Sequence, residues 1–264
     1  MVERLISSVQ NQQIKEVKKL FTRKGRKKAG QYLLEGPHLV DMAIQAAVDI
    51  EMIYYVPESS HQNVTQLRAL KEDLPLTQVT PEVAKALSQT DNPQDIFAVA
   101  KLPKARKLDI HQLSKGLLIL DQVQDPGNLG TLIRTADAFG YRDILLGSGT
   151  VDLYNDKVLR SMQGSHFAVN TYEVNLASVI PQLQEAGYFI TTTELNKQAK
   201  ASNAFDLKSK GKWALVMGNE GNGVSQIISQ LADMALYIPM SGSAESLNVA
   251  VAGAIVMYQF PIQD

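Results

Sequence analysis

Residues 215–254 read LVMGNEGNGVSQIISQLADMALYIPMSGSAESLNVAVAGA, and this stretch decides which fold the chain can adopt. Two short apolar runs, residues 214–217 and 236–238, have the length and composition of β-strands. Each run continues into a loop of small and polar residues, 218–225 and 239–246. Ligands bind beyond the carboxyl ends of the strands in open α/β sheets. We therefore expect two neighbouring strands whose loops form a ligand crevice.

The glycines of the first loop and the helix after the second loop support this prediction. Gly218, Gly221 and Gly223 let the backbone approach a ligand closely or adopt a positive φ. Residues 247–259 predict a helix with Ser246 as its N-cap. The glycine spacing G-x-x-G-x-G is not a nucleotide fingerprint, and no G-K-[ST] follows it. Taken alone, either loop could be an ordinary glycine-rich turn.

The composition excludes several classes of protein. The chain has 264 residues, of which 45% are hydrophobic and 20% charged, as is typical of globular domains. Cysteine is absent, which excludes disulfides, thiolate metal sites and a cysteine nucleophile. The four histidines are scattered, so no metal is expected. The sequence shows no apolar run of about 18–20 residues and no signal peptide, so a cytoplasmic protein is expected.

Alternating strand and helix patterns predict two α/β domains. The first covers residues 1–102 and a lysine-rich linker covers 103–115. The second domain covers residues 116–264, where the alternation predicts a parallel sheet with helices on both faces. Physical rules of chain connection alone predict an unknotted fold for this second domain.

Three motifs occur in a fixed order in the second domain. They are NLGTLIR at residues 128–134, MGNEG at 217–221 and IPMSGSAESLN at 238–248. Together they resemble the signature motifs of the SpoU (TrmH) family of RNA ribose 2′-O-methyltransferases, within the SPOUT class. The order of elements in the first domain, with Glu35-Gly36-Pro37-His38 after its first strand, is similar to an L30e-like RNA-binding domain. The resemblance implies a trefoil-knotted methyltransferase domain that works as a homodimer, with rRNA or tRNA as substrate.

The resemblance also implies that S-adenosylmethionine is bound by the second and third motifs. The positions that match the cofactor site are Gly218, Asn219, Ile238, Met240 and Leu247. Loops at strand ends offer amide and carbonyl groups to a polar ligand above an apolar floor, which agrees with this role. Simple core packing is the alternative for Ile238 and Leu247.

Arg134 matches the invariant arginine of the first motif and is the leading catalytic candidate. A guanidinium does not readily lose its proton, so we expect it to orient the ribose and stabilise charge, with a phosphate as a possible proton acceptor. The alternative is a surface ion pair with Asp137. Asn128 could hold the ribose or order the arginine, or it could be an N-cap.

Three further polar residues complete the predicted catalytic set. They are Glu220 in the second motif and Ser246 and Asn248 in the third. Asn248 is the most informative of these, because an asparagine just inside a helix rich in Ala and Val is costly without a role.

Positive charge is concentrated at the N-terminus. Residues 1–30 contain nine Lys and Arg and two acidic residues, a net charge of +7, whereas the other residues carry a net charge of −8. The spacing of Ile6, Ile14, Val17 and Leu20, with lysines between them, predicts a short amphipathic helix with a basic outer face. RKGRKKAGQ at 23–31 predicts a basic loop. A solvated surface is the alternative to contact with RNA phosphates. The predicted RNA-binding residues are Lys15, Lys18, Lys19, Arg23, Lys24, Arg26, Lys27 and, further along the chain, Arg160.

Two observations bear on the substrate and on the partner. The segment around Arg160 departs from the family pattern, with Asp156 in place of a proline and Met162 in place of an alanine. The C-terminal helix is apolar on nearly all sides, which suggests a partner subunit. A non-catalytic RNA-binding protein of the same fold and a base methyltransferase remain alternatives to ribose methylation.

Overall fold

The computed structural model describes residues 5–71, 73–194 and 199–262 and divides into two compact units. The first unit is Met1–Lys104 with Asp152–Phe167, and the second is Ala105–Val151 with Ala168–Asp264. The predicted domain boundaries stay a prediction; the units differ from them in that residues 152–167 join the first unit. Arg4 of the predicted basic segment lies outside the described residues. None of the helices in the described ranges has the length and apolar character needed to cross a bilayer.

The first unit contains a five-stranded sheet. Its strands are β1 (Leu5–Ile6), β2 (Gln31–Glu35), β3 (Ile50–Tyr55), β4 (Leu76–Val79) and β5 (Ile96–Lys101). Its helices include α1 (Gln12–Lys19), α2 (Arg23–Ala29), α3 (Pro37–Gln45), α4 (Pro57–Leu70) and α5 (Pro81–Leu87). The strand order is β1-β4-β3-β5-β2, and β5 runs antiparallel to both of its neighbours. The helix Asp156–Met162 also belongs to this unit and packs near β2.

The prediction of a basic loop after α1 was wrong, because residues Arg23–Ala29 form α2. The side chain of Thr22 caps this helix by accepting a hydrogen bond from the amide of Gly25, and Gly30 ends it with a φ of 68°. Gly25 lowers the helix propensity of the segment and so misled the prediction. A Cβ at this position would lie 1.8 Å from the carbonyl oxygen of Lys19, so the close contact with the end of α1 requires glycine.

The second unit contains a seven-stranded parallel sheet. Its strands are β6 (Gly116–Leu120), β7 (Asp143–Gly147), β8 (Asn170–Val174), β9 (Tyr188–Thr193), β10 (Lys200–Ala201), β11 (Lys212–Met217) and β12 (Met234–Tyr237). The order is β10-β12-β9-β11-β6-β7-β8. Buried aliphatic side chains from β6, β9 and β11 pack against helix α8 (Leu176–Glu185) in one core. The helices of the second unit include α6 (Pro126–Ala138), α8, α9 (Gln226–Leu231) and α10 (Val249–Gln259). The helix Asp156–Met162 of the first unit is α7.

The two strands of the decisive stretch are not neighbours, contrary to the prediction. β9 lies between β11 and β12 and pairs in parallel with both of them. Sequence proximity suggested direct pairing, but parallel strands need a crossover, and the crossover through α9 passes over β9. The carboxyl ends of β9, β11 and β12 therefore lie at the same edge of the sheet.

Helix α10 begins later than predicted. Its N-cap is Asn248, whose Oδ1 accepts hydrogen bonds from the amides of Ala250 at 2.9 Å and Val251 at 3.3 Å. Ser246 is therefore not the cap, although its residue type is equally suited to that position.

Candidate active site

A cleft of about 1110 Å³ lies at the carboxyl edge of the second unit's sheet. The ends of β9, β11 and β12 and the loops 218–225 and 239–247 contribute to its walls. Small-molecule sites typically have volumes of about 300–1,000 Å³, so a nucleoside-sized ligand has sufficient room. The lining includes all five predicted cofactor residues, Gly218, Asn219, Ile238, Met240 and Leu247.

Hydrogen bonds within the first loop, residues 218–225, hold its backbone in a tight turn. The amide of Asn219 donates to the carbonyl of Gly223 at 2.8 Å, and the reverse bond measures 2.9 Å. The side-chain Oδ1 of Asn219 accepts from the amides of Gly221 at 3.0 Å and Asn222 at 3.1 Å. Asn219 therefore organises the loop from inside as well as lining the cleft.

Two contacts fix the ends of this loop. The amide of Ser225 donates to the carboxylate of the buried Asp121 at 2.7 Å. At the other end, a Cβ on Gly218 would lie 2.2 Å from backbone atoms of Gly223 and Val224. The turn can close only over a glycine at position 218.

Asn128, Glu220 and Asn248 form a hydrogen-bonded set that we call the Asn–Glu network. The carboxylate of Glu220 accepts from the backbone amides of Gln124 at 3.1 Å and Asp125 at 2.9 Å. It also accepts from Nδ2 of Asn128 at 3.2 Å. Nδ2 of Asn248 donates to Oδ1 of Asn128 at 2.9 Å. One residue from each of the three sequence motifs is thereby brought into the same network.

The surroundings of Glu220 keep it ionised. Partial burial acts to raise the pKa of its carboxyl group, but hydrogen bonds from backbone amides, including those of Asp125 and Gln124, and from Asn128 outweigh that effect. The pKa of Glu220 therefore lies below its ordinary value, and the side chain is a carboxylate at neutral pH. Such a group anchors hydrogen-bond donors and is a weak proton acceptor.

The structural alternatives considered for the two asparagines resolve differently. Asp125, not Asn128, caps α6, because its Oδ1 accepts from the amide of Asn128 at 2.9 Å. The N-cap interpretation of Asn128 was therefore wrong. Asn248 is itself the N-cap of α10 and does not lie inside the helix. The expected cost of an asparagine within the helix was therefore the wrong reason for selecting it. Its Nδ2 has a separate role, because it donates a hydrogen bond to Oδ1 of Asn128.

Two predicted catalytic residues stay outside the network. The side chain of Arg134 is exposed on α6 and forms no hydrogen bond or ion pair with any residue in the described ranges. The alternative of an ion pair with Asp137 is therefore not observed. Ser246 is exposed and lines the cleft, but no described residue forms a hydrogen bond with it.

Comparison with known proteins settles the family. The model of the SpoU rRNA Methylase family matches residues 115–258, and the model of the MRM3-like substrate binding domain matches residues 11–98. The chain is 38% identical over 253 residues to the 23S rRNA (guanosine(2553)-2'-O)-methyltransferase RlmP of Bacillus subtilis, covering 96% of this chain and 97% of that relative. The chain belongs to the SpoU rRNA methylase family.

Solved structures of SpoU-type enzymes extend the match to the fold. The AdoMet-bound rRNA methyltransferase from Sinorhizobium meliloti has a TM-score of 0.83 and 29% identity, covering 97% of this chain and 96% of the other. AviRb from Streptomyces viridochromogenes, also in complex with AdoMet, has a TM-score of 0.80 and 26% identity, covering 95% and 97%. The predicted α/β fold with a parallel sheet and a small N-terminal domain, the RNA 2′-O-methyltransferase class and the cofactor S-adenosylmethionine are confirmed.

The cleft of this SpoU member fits that cofactor. Gly218, Gly221 and Gly223 line the cleft without side chains, so their backbone borders the ligand space directly. Ile238 and Leu247 are only partly buried and line the cleft, so core packing alone does not account for them. Met240 retains 37% of its accessible surface at the cleft, where an apolar ligand surface could cover it.

The sequence interpretation missed Glu194, which follows β9 and lines the cleft. Thr192 and Ser229 donate to its Oε1 through their hydroxyls at 2.9 and 2.6 Å. No described residue forms a hydrogen bond with Oε2. The available signal was its position directly after a strand, but that signal becomes specific only once β9 is known to lie between β11 and β12.

Most of the predicted RNA-binding residues of the first unit are exposed on α1 and α2. They are Lys15, Lys18, Lys19, Arg23, Lys24 and Lys27, and we call this set the α1–α2 basic surface. Lys19 also pairs with Glu16 at 2.6 Å, where both side chains are largely exposed. Such a pair contributes little to stability and can exchange for a phosphate.

Arg26 does not belong to this surface, and its prediction as an RNA-binding residue was wrong. Only 4% of it is exposed, because it lies on the inner side of α2. Its guanidinium donates to the carbonyl of Leu20 at 2.7 Å and forms an ion pair with Asp152. Arg160 is partly exposed and pairs with Asp156 at 2.7 Å, so its role in RNA binding stays a prediction.

Proposed function

We propose that the chain methylates a ribose 2′-hydroxyl of ribosomal RNA, with a guanosine of the large-subunit RNA as the first substrate to test. The Asn–Glu network supports the reaction, because it links Glu220, which lines the cofactor-sized cleft, to Asn128 and Asn248 of the other two motifs. The relative RlmP, 38% identical along almost the whole chain, supports the choice of RNA.

We assign the cofactor to the loops of the cleft. The backbone of residues 218–225 would bind its polar groups, and Ile238, Met240 and Leu247 would cover its apolar surface. Glu194 would accept a hydrogen bond from a hydroxyl or amino group of the cofactor through its Oε2, to which no described residue donates. Once bound, S-adenosylmethionine supplies a methyl group on a positively charged sulfur.

The protein's part in the transfer is to place the 2′-oxygen and to allow its proton to leave. A carbon–oxygen bond forms as the carbon–sulfur bond breaks, so the hydroxyl must release its proton. Glu220 is a poor acceptor because its lone pairs already receive hydrogen bonds and its pKa lies below its ordinary value. Arg134 retains its own proton. We therefore assign Asn128 and Asn248 to positioning, Arg134 to charge stabilisation, and the proton to an RNA phosphate.

An outward apolar stripe on α10 supports a homodimer. Val251 and Tyr258 are 49% and 71% exposed and lie seven residues apart on one side of the helix. A second copy covering this stripe would remove the exposed apolar surface from water. Because the guanidinium of Arg134 makes no polar contact with a described residue of its own chain, we propose that the active site is completed at this interface. Tyr258→Glu should then yield monomers by light scattering and abolish methyl transfer.

The α1–α2 basic surface is proposed to bind RNA phosphates. Each neutralised phosphate releases counterions, so log Kd should change with log salt by about 0.7–0.9 per contact. Replacing Lys24 and Lys27 with Gln should lower this salt dependence. Ser246 is retained in the proposal as a residue near the reacting ribose.

The deciding experiment is transfer of a labelled methyl group from S-adenosylmethionine into ribosomal RNA from cells that lack this gene. Label recovered as a 2′-O-methylated nucleoside, and lost with Arg134→Ala, would support the proposal. Label recovered on a base, or cofactor binding without label in any RNA or ribosomal precursor, would contradict it. The trefoil knot, the cytoplasmic location, the domain boundaries and the absence of a metal stay predictions.

A further inference from the structure

Two lysines of the second unit lie over aromatic rings. Neither these lysines nor the rings have a role in the proposed function. The Nζ of Lys210 lies 4.6 Å from the ring centroid of Phe189 and 5.8 Å from that of Phe205. The Nζ of Lys200 lies 5.5 Å from the ring centroid of Phe205. The two ring centroids are 6.0 Å apart. We call these four residues the Lys–Phe patch.

The patch occupies one face of the sheet. Consecutive residues of a strand point to opposite faces, so Phe189 and its neighbour Tyr188 face different sides. Lys212 lies 5.2 Å from the ring of Tyr188 and therefore does not belong to the patch. The patch is thus a pair of ammonium groups above a pair of rings, and not a uniform band of lysines.

The charge of the patch is not neutralised by the part of the chain that the structure describes. Lys200 and Lys210 are both exposed, and neither forms an ion pair with a described carboxylate. Asp206 is the only acidic residue between 199 and 212, a segment that contains four lysines. Its Oδ1 accepts from the amide of Lys208 at 3.1 Å. Positive charge therefore accumulates locally in a chain whose net charge is −1.

The rings order the two ammonium groups. A cation within about 6 Å of an aromatic centroid is attracted to the ring face. An exposed lysine without such a contact loses rotamer freedom when it binds an anion. Since Lys200 and Lys210 are already held, less of that entropy remains to be lost on binding. This distinguishes the patch from an ordinary solvated lysine surface.

We propose that the Lys–Phe patch binds the phosphate backbone of the substrate RNA, at a segment other than the one that carries the target ribose. The inference rests on the proposed function, which brings a polyanion to this unit. Phe189 is at the amino end of β9, whereas Thr193 at its carboxyl end lines the cleft. Four residue steps along a strand span about 13 Å. The patch therefore extends the RNA footprint beyond the cleft.

The test compares RNA binding by two double variants with the same change in charge. Lys200→Gln with Lys210→Gln removes the patch charge, and the long Gln side chains still cover the rings. Lys85→Gln with Lys107→Gln removes two exposed lysines elsewhere. The Kd for a ribosomal RNA fragment is measured from 50 to 300 mM KCl for both pairs and for wild type. Binding of S-adenosylhomocysteine is measured in parallel.

The patch variant should bind the RNA about tenfold more weakly at low salt, with a salt slope reduced by about 1.5 for two lost phosphate contacts. The control pair should retain the wild-type slope, and all proteins should bind S-adenosylhomocysteine equally. A patch variant with the Kd and slope of wild type would overturn the inference. A wild type that binds the cofactor product but no RNA would instead overturn the proposed function.

A charge-retaining double variant, Lys200→Arg with Lys210→Arg, is the control for a change in side-chain shape without a change in charge. Arginine also lies well over aromatic rings and keeps its charge. This pair should bind RNA like wild type. Weakened binding by both the Gln pair and the Arg pair would show that the local structure and not the charge matters, and would contradict the inference.

Discussion

The two loops that form the cleft differ in how their shapes are determined. Residues 218–225 are held by reciprocal backbone bonds, by the side chain of Asn219 and by the carboxylate of Asp121. Residues 239–247 receive no hydrogen bond from any described residue, and those at 239–246 are all exposed. The wall formed by residues 218–225 is therefore preorganised, whereas the wall formed by residues 239–247 has no comparable hydrogen bonds with described residues.

This difference assigns different tasks to the two loops. A preorganised wall binds a ligand with little loss of conformational entropy. A wall without internal hydrogen bonds can change shape when a ligand or partner covers it. We therefore expect the first loop to set cofactor affinity and the second to order itself when cofactor, RNA or a second subunit is present.

The largest expected effect is that of Gly218→Ala. The added Cβ would lie 2.2 Å from backbone atoms of Gly223 and Val224, and the turn would have to open. Overpacking of this kind costs about 3 kcal/mol, which corresponds to an about hundredfold weaker binding of S-adenosylhomocysteine. Calorimetric titration measures it.

Gly221→Ala is the matched control in the same loop. Its Cβ would meet only the side-chain oxygen of Asn219, at an ordinary 3.6 Å. Its affinity should stay within about twofold of wild type, since no contact is lost or compressed. Equal losses for both alanine variants would show that the loop tolerates no change at all, and the argument from the turn at Gly218 would fail.

The second largest effect is expected for Asn248→Asp, which separates the two roles of that side chain. The carboxylate still caps α10 and suits the positive end of the helix dipole. It cannot donate to Asn128, and two acceptors then face each other. We expect kcat/KM for RNA to fall by about thirtyfold, while the free energy of unfolding changes by less than about 0.5 kcal/mol.

Asn248→Ala completes that comparison. It removes both the cap and the link, so it should lose a similar amount of activity and also about 1 kcal/mol of stability. Thermal denaturation and single-turnover kinetics measure the two effects. If Asn248→Asp retained full activity, the Asn–Glu network would have no part in catalysis.

The sequence was sufficient for the parallel sheet and for the motif residues of the cleft, because apolar runs and glycine spacing are local signals. It was insufficient where long-range packing decides. Ser246 and Asn248 are equally good caps by type, and only the folded structure shows that the first turn of α10 follows Asn248. The insertion of β9 between β11 and β12 depends on the crossover path, so Glu194 could not be placed at the cleft. Arg26 is a basic residue like its exposed neighbours in the sequence, and only the packing of α2 shows that it is buried.

Glu220→Gln should have an intermediate effect on the preformed wall. The amide can accept from only one side, so at least one of the bonds from Gln124, Asp125 and Asn128 is lost. Cofactor affinity should fall by about tenfold. Because the pKa of Glu220 lies below its ordinary value, the carboxylate bonds are present above pH 4.5 and are lost only as pH falls through the lowered pKa. Affinity differences between variant and wild type should therefore not change between pH 6 and 9.

The smallest effect is expected for Ser246→Ala in the unconstrained loop. Its hydroxyl forms no hydrogen bond with a described residue. The equilibrium constant for unfolding and the Kd for S-adenosylhomocysteine should therefore each remain within about twofold of wild type. Hydrogen exchange supplies the sharper measurement. Amides of residues 240–247 should gain much more protection on cofactor binding than those of Asn219, Gly221, Asn222, Gly223 and Ser225, which already donate hydrogen bonds. Equal gains in both loops would mean that the apparent difference between the two walls does not exist in solution, and that cofactor binding orders the whole cleft.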